Sequence, residues 1–312
     1  MNSMTLALSV VFPLIVYMAV GMLIRRLGIL TQPHFKAINS MVFRIFIPLT
    51  LFFNVYRADL RETIQGEIFG YVLVGVLITF AVCWVVVGRT VKDGADAASM
   101  IQGLYRSNFV LYGTYVASAM CGTSGIALVS AMAAMVVPLY NMLAVILFEL
   151  KRSGSVSPGE ILLNICKNPL VDAGVLGCVF QLLHIPIPEL LMQPLMTLGD
   201  LATPLALVTL GGLLSFDSLR RHKTYLLAVN AGRLIVIPLV WLAIGVLLGM
   251  RGDSLVALLA IYASPTAVAS APMAQEMGGN GTLAGEIVAT TTTCSIVTIF
   301  LFVLGLSGLG LI

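Results

Sequence analysis

"LYRSNFVLYGTYVASAMCG", residues 104–122, is mostly apolar, yet it carries Arg106 and Asn108 and, further along, Gly113. A charge at the centre of a bilayer costs about 2.5–3.5 kcal/mol on insertion scales, so a membrane segment with this pattern needs a reason for it. "YASPTAVASAP", residues 262–272, has the same character, with Pro265 and Pro272 inside an apolar run. Proline removes a backbone donor and breaks the helical ladder. A broken helix at membrane depth is tolerated only where protein or a water-lined cavity satisfies the freed groups. Two interrupted segments therefore read as the walls of one buried polar site.

Composition places both stretches in a membrane. The 312 residues are 59% hydrophobic and only 10% charged, too little polar surface to clothe a soluble domain. Runs of about 20 apolar residues recur, and ten spans are expected near 4–24, 36–55, 67–88, 100–120, 125–150, 163–184, 190–215, 224–249, 254–276 and 282–307. The N-terminal "MNSMTLALSVVFPL" lacks a cationic start and a small-residue cleavage site, and reads as the first span and not as a removed signal. Cys83, Cys121, Cys166, Cys178 and Cys294 include no CxxC pair and read as small core residues; no metal or cofactor is implied. With the N-terminus outside, the inner loops hold eleven Lys and Arg and the outer loops three, Arg57, Arg61 and Arg251. That asymmetry puts both termini outside a plasma (inner) membrane. Arg44, Arg106 and Arg233 fall inside spans.

Landmarks recur at an offset of 156–157 residues. Pro13-Leu14 and Gly21 match Pro169-Leu170 and Gly177, and Pro48 in "IPLTL" matches Pro204 in "TPLAL". Trp84 and Gly88 match Trp241 and Gly245, and Tyr105, Ser107, Met120 and Gly122 match Tyr262, Ser264, Met277 and Gly279. Residues 1–153 and 159–312 thus read as two repeats of five spans. An odd number of spans makes the second repeat enter from the opposite side, an inverted repeat typical of secondary transporters. The expected fold is all-α, ten transmembrane helices in two inverted repeats, with helices 4 and 9 broken and crossing. Matching breaks point to a binding site, and their half-helix N-termini would face an anion.

"YRSNFVLYG", "NPLVDAGVLG", "VPLYNMLAV", "ASPTAVAS" and "TTTTCSIVT" together resemble, in order and along the whole chain, the auxin efflux carrier family. Its bacterial members include dicarboxylate transporters and its plant members export auxin. The resemblance implies a scaffold of helices 1, 2, 6 and 7 (about 4–55 and 163–215) and a transport core of helices 3–5 and 8–10 (about 67–150 and 224–307). It also implies organic anion substrates such as malate, malonate or auxin-like acids, elevator-like motion and a homodimer formed through the scaffold. The chain departs from the family where many relatives have Gly-Leu-Pro in helix 4: here stand Gly113-Thr114-Tyr115, with Pro272 opposite Tyr115 in the repeat.

Asn108 donates and accepts hydrogen bonds without a permanent charge and is the first choice for holding a carboxylate; the alternative is a helix-to-helix bond. Gly113 marks the expected break of helix 4. Ser264, Pro265 and Thr266 would line the second break. Asn141 and its repeat mate Thr298 contact substrate or pack helices. The "TTTT" at 290–293 lines the neighbouring wall or bonds its own helix's carbonyls. Arg106 draws an anion into the cavity or snorkels to the surface. Arg233 attracts the anion or pairs with Asp172, Asp200 or Glu286. Arg44 and its mate Asp200 suggest a structural charge pair or a cytoplasmic gate. Asp172 and Glu286 are placed to carry a proton, with charge pairing as the alternative; His34, His184 and His222 lie in loops or at span ends, and no histidine relay is expected.

The partners expected are the substrate anion, the bilayer and a second copy, with no nucleic acid. "GTSG", residues 122–125, matches an intramembrane serine protease pattern, but that chemistry needs a histidine base in a later helix, and no later span has one in its interior. The run reads instead as the connection between spans four and five, and "GGNG", 278–281, as that between nine and ten. An anion channel is the remaining rival class.

Overall fold

The computed structural model describes residues 3–57, 66–152, 159, 163–165 and 167–312. Cys166, Arg61 and the junction at 153–158 lie outside the described residues. Every element is helical: α1 (Ser3–Arg26), α2 (Gln32–Tyr56), α3 (Glu67–Thr90), α4a (Gly94–Tyr105), a hairpin of α4b and α5 within Phe109–Arg152, α6 (Pro169–Leu182), α7 (Glu189–Leu213), α8 (Lys223–Leu247), α9a (Asp253–Ala263), α9b (Ser270–Glu276) and α10 (Gly281–Gly308). A short helix, Phe216–Arg221, joins α7 to α8. Among the described residues α2, α3, α5, α7, α8 and α10 are each long and apolar enough to cross a bilayer.

Local chemistry starts several helices. Asp93 accepts the Asp96 N–H at 2.9 Å to open α4a, Asn168 accepts that of Leu170 with Pro169 at the first turn of α6, and Asn280 accepts that of Leu283 at 3.0 Å to open α10. Each side chain satisfies a donor that the first turn leaves without a helical partner. One flank of α3 exposes Val74, Leu77, Ile78, Val82, Val85 and Val86, a stripe suited to lipid.

α1 packs along α7, and α2 along α6. Both contacts depend on glycine: a Cβ on Gly21 would collide with the Val208 carbonyl oxygen, and one on Gly177 would meet that of Phe52 at 2.9 Å. Gly21 and Gly177, like Phe52 and Val208, stand 156 residues apart. Elsewhere Trp241 stacks on Tyr262 with centroids 5.5 Å apart and donates to Thr79 Oγ1 at 2.8 Å, while Phe80 meets Tyr105 edge-on at 5.1 Å.

The breaks differ from the expected ones. Helix 4 is interrupted at residues 106–108, and Gly113 lies within continuous α4b. Its lack of a side chain serves packing, because a Cβ there would stand 2.7 Å from that of Ala260 on α9a. Helix 9 is interrupted at residues 264–269 around Pro265. Pro272 lies in the first turn of α9b instead of breaking a helix, a position where its missing N–H has no helical acceptor to lose. The GTSG run is not a loop. Gly122 alone, at φ 62°, reverses the chain, so that a Cβ on Gly125 would lie 3.0 Å from the Ala117 carbonyl oxygen of the preceding helix.

Candidate functional site

At the two interruptions the main chain runs extended and pairs with itself. The Asn108 N–H donates to Pro265 O at 2.8 Å and the Ala267 N–H to Arg106 O at 3.1 Å, an antiparallel bridge between Ser107 and Thr266. This pairing takes up backbone groups that helix breakage would otherwise strand in an apolar interior. Thr266 adds to it, with Oγ1 donating to Gly103 O at 2.7 Å and its N–H to Thr291 Oγ1 at 3.2 Å.

Arg233, 1% exposed, sits in a π-helical turn of α8 (Gly232–Val236) and reaches the crossover. Its Nε donates to Ser264 O at 2.9 Å, Nη2 to Ile261 O at 2.9 Å and Nη1 to Leu104 O at 3.1 Å. Those carbonyls belong to the C-terminal ends of α9a and α4a, where unpaired C=O groups and the helix dipole favour a cation. Neither Asp172, Asp200 nor Glu286 pairs with it; the partners weighed from sequence are replaced by carbonyls. Arg233 holds two half-helices together.

Arg106 is 5% exposed and does not snorkel. Nη2 donates to Asn141 Oδ1 at 2.7 Å and Nη1 touches Met273 Sδ; among the described residues no carboxylate pairs with it. Asn108 Nδ2 is buried beside it with no hydrogen-bond partner among the described residues. Both line a cavity of about 170 Å³ with Ser107, Tyr140 and Asn141, the start of α4b, and residues 267–269 before α9b. Thr50 and Asn54 of α2 and Thr203 of α7 close its other side. A guanidinium without a carboxylate, an idle amide donor and the N–H groups at the start of α4b thus converge on one space, the donor set of an anion site.

The space is open at one end. Thr50, Asn54 and Val110 also line a cavity of about 530 Å³ that extends to Arg57, Thr114, Ser130 and Asp200. At the opposite end α2 is tied to α9b: Asn39 Nδ2 donates to Gln275 Oε1 at 3.0 Å, Ser40 Oγ to Glu276 Oε2 at 3.0 Å, and Arg44 meets the same oxygen at 3.3 Å. Arg44 therefore pairs with Glu276 and not with Asp200.

Residues 6–303 match the family of membrane transport proteins, and the chain is 24% identical over 295 residues to an uncharacterized transporter of Methanothermobacter thermautotrophicus, covering 93% of this chain and 95% of the relative. The chain belongs to the membrane transport protein family. This is the auxin efflux carrier family that the motifs resemble, and its apolar helices make the transporter a multi-pass membrane protein.

The transporter brings together Arg106, Asn108 and Asn141, but not every residue singled out from its sequence. Ser264 Oγ bonds back to Ala260 O, and neither Ser264, Pro265 nor Thr266 lines the crossover cavity; they build its frame. Thr298 Oγ1 turns to Ser295 O of its own helix at 3.4 Å, outside the cavity lining. In the threonine run, Thr290, Thr291 and Thr293 bond α10's own carbonyls. Asp172 is exposed in the first turn of α6. Glu286 is buried and paired with His222 at 2.6 Å, so one histidine does meet a membrane carboxylate. Thr50, Asn54, Thr203 and Tyr140 were not singled out; the "PLYN" stretch that supplied Asn141 contains Tyr140, but nothing in the sequence pointed to Thr50 and Thr203.

Proposed function

We propose that this transporter is a secondary carrier of small organic anions such as malate, malonate or auxin-like acids, with the carboxylate held at the crossover by Arg106, Asn108 and the N-terminus of α4b. The observation that carries this reading is the buried Arg106, which has no carboxylate partner among the described residues and faces a cavity beside an amide donor that likewise has none among them. A buried cation of that kind is costly until an anion arrives.

The wider reading follows from the same frame. Two inverted five-helix repeats account for the reciprocal packing of α1 on α7 and α2 on α6 and for glycines that approach carbonyls at one constant offset. α1, α2, α6 and α7 form the scaffold of a homodimer, and α3–α5 with α8–α10 move past it as an elevator. With both termini outside an inner membrane, the Arg57 end is outer and open and the Arg44 end is inner and sealed.

The test is charge movement and labelled uptake in proteoliposomes given a panel of carboxylates, wild type against Asn108→Ala. Saturable transport of one carboxylate class is expected, with apparent affinity about tenfold weaker in the variant, the order of one hydrogen bond to a charged group. Non-saturating current carried equally by chloride and untouched by the substitution would establish an anion channel instead.

A further inference from the structure

A second buried charge cluster lies away from the crossover. Glu286, in α10, is 1% exposed; its Oε2 meets His222 Nδ1 at 2.6 Å. Oε1 is also buried and has no hydrogen-bond partner among the described residues. Glu286 borders a cavity of about 140 Å³ lined by Gln32, Lys36 and Asn39 of α2 and Gln275 of α9b. This cavity adjoins the contacts that seal the Arg44 end, since Asn39 and Gln275 belong to both. His222 stands where the connecting helix Phe216–Arg221 enters α8.

We propose that Glu286 and His222 form a proton-binding site whose occupancy is linked to transport; the link to substrate rests on the function proposed above. When neutral His222 donates its Nδ1 hydrogen to the Glu286 carboxylate, the pair carries one negative charge and leaves Oε1 unsatisfied. One proton entering from the cavity binds either His222 Nε2 or Glu286 Oε1 and makes the pair neutral; its departure by the same route restores the charge. No other bond changes. Burial of a net charge is costly and burial of a neutral hydrogen-bonded pair much less so.

The surrounding groups give that proton a consequence. From the elements packed on α10, the charged groups near this end are Arg25 and Arg26 on α1, the former donating to Gly212 O and Leu214 O, Asp96 on α4a, bonded to Asn280, Lys223 on α8 and Glu276 on α9b; Lys36 faces the cavity from α2, and Asp217, Arg220 and Arg221 stand just before His222. Arg233 on α8 lies at the crossover, occupied with carbonyls. Lys36 shares the cavity with Glu286. Its attraction for the pair exists while the pair is charged and vanishes on protonation, so a proton on the core loosens the scaffold's hold at the sealed end.

The decisive experiment uses the full-length purified protein without substrate, comparing infrared difference spectra between about pH 5 and 8 for wild type, Glu286→Gln and His222→Gln. The wild type should show a carboxyl or an imidazolium band growing with acid, changed in both Glu286→Gln and His222→Gln. A wild-type spectrum reproduced by Glu286→Gln overturns the proton site. In proteoliposomes, Glu286→Gln should keep carboxylate exchange within about twofold of wild type yet lose about tenfold or more of uptake driven by a pH gradient. Gradient-driven uptake at the wild-type rate in both variants overturns the link. If the wild type moves no carboxylate in either mode, the substrate reading falls, while the spectra still decide whether the proton binds.

Discussion

Arg106 and Arg233 are both buried at one crossover, yet their surroundings differ in kind. Arg233 spends its Nε and both terminal nitrogens on three carbonyls at two helix ends, whereas Arg106 has one amide oxygen, one thioether and a cavity. Depth in the membrane therefore does not separate a structural charge from a functional one. What separates them is whether the fold supplies the acceptors. Arg44 adds an exposed reference: its side chain is 69% accessible and its partner, Glu276, lies on α9b.

The comparison can be broken by substitution. Arg233→Met should have the largest effect, about 3–5 kcal/mol of stability lost, because it strands three buried carbonyls and unpins both half-helices; a thermal unfolding series in detergent would read it. Arg106→Met should leave stability equal or higher, as removal of an ill-compensated buried charge often does, while weakening carboxylate binding by about 100-fold or more. Equal loss of stability in the two variants would erase the distinction between the two arginines. Asn108→Ala comes next, at about tenfold in affinity with little change in melting. Arg44→Gln should be mildest. An exposed pair contributes about 1 kcal/mol or less, so transport should change by less than about fivefold, and a larger change would promote the sealed end from a weak latch to a dominant gate.

The sequence disclosed the neighbourhood of the site better than its geometry. Polar residues in apolar runs and two offset-related segments led to Arg106, Asn108 and Pro265. The place where helix 4 breaks was missed because its cause is tertiary: Arg106-Ser107-Asn108 holds neither glycine nor proline, and the crossing chain draws it out of the helix through the Asn108 and Ala267 bonds. Gly113 offered a local signal and turned out to serve contact with Ala260. The offset of 157 residues pairs Asn141 with Thr298 in sequence, yet Asn141 lines the cavity and Thr298 does not. The pairing of His222 with Glu286 joins residues 64 apart, and position at a span end hid the histidine. Lining residues on α2, such as Thr50 and Asn54, depend on how α2 meets α4b and α5, which no local pattern encodes.

The bridge between residues 107 and 266 is made of main-chain atoms alone. Substitutions among the side chains that line the cavity therefore leave both bridging hydrogen bonds in place. Lining residues such as Asn54 and Thr203 can therefore change with the cargo, one side chain at a time, without loss of that bridge.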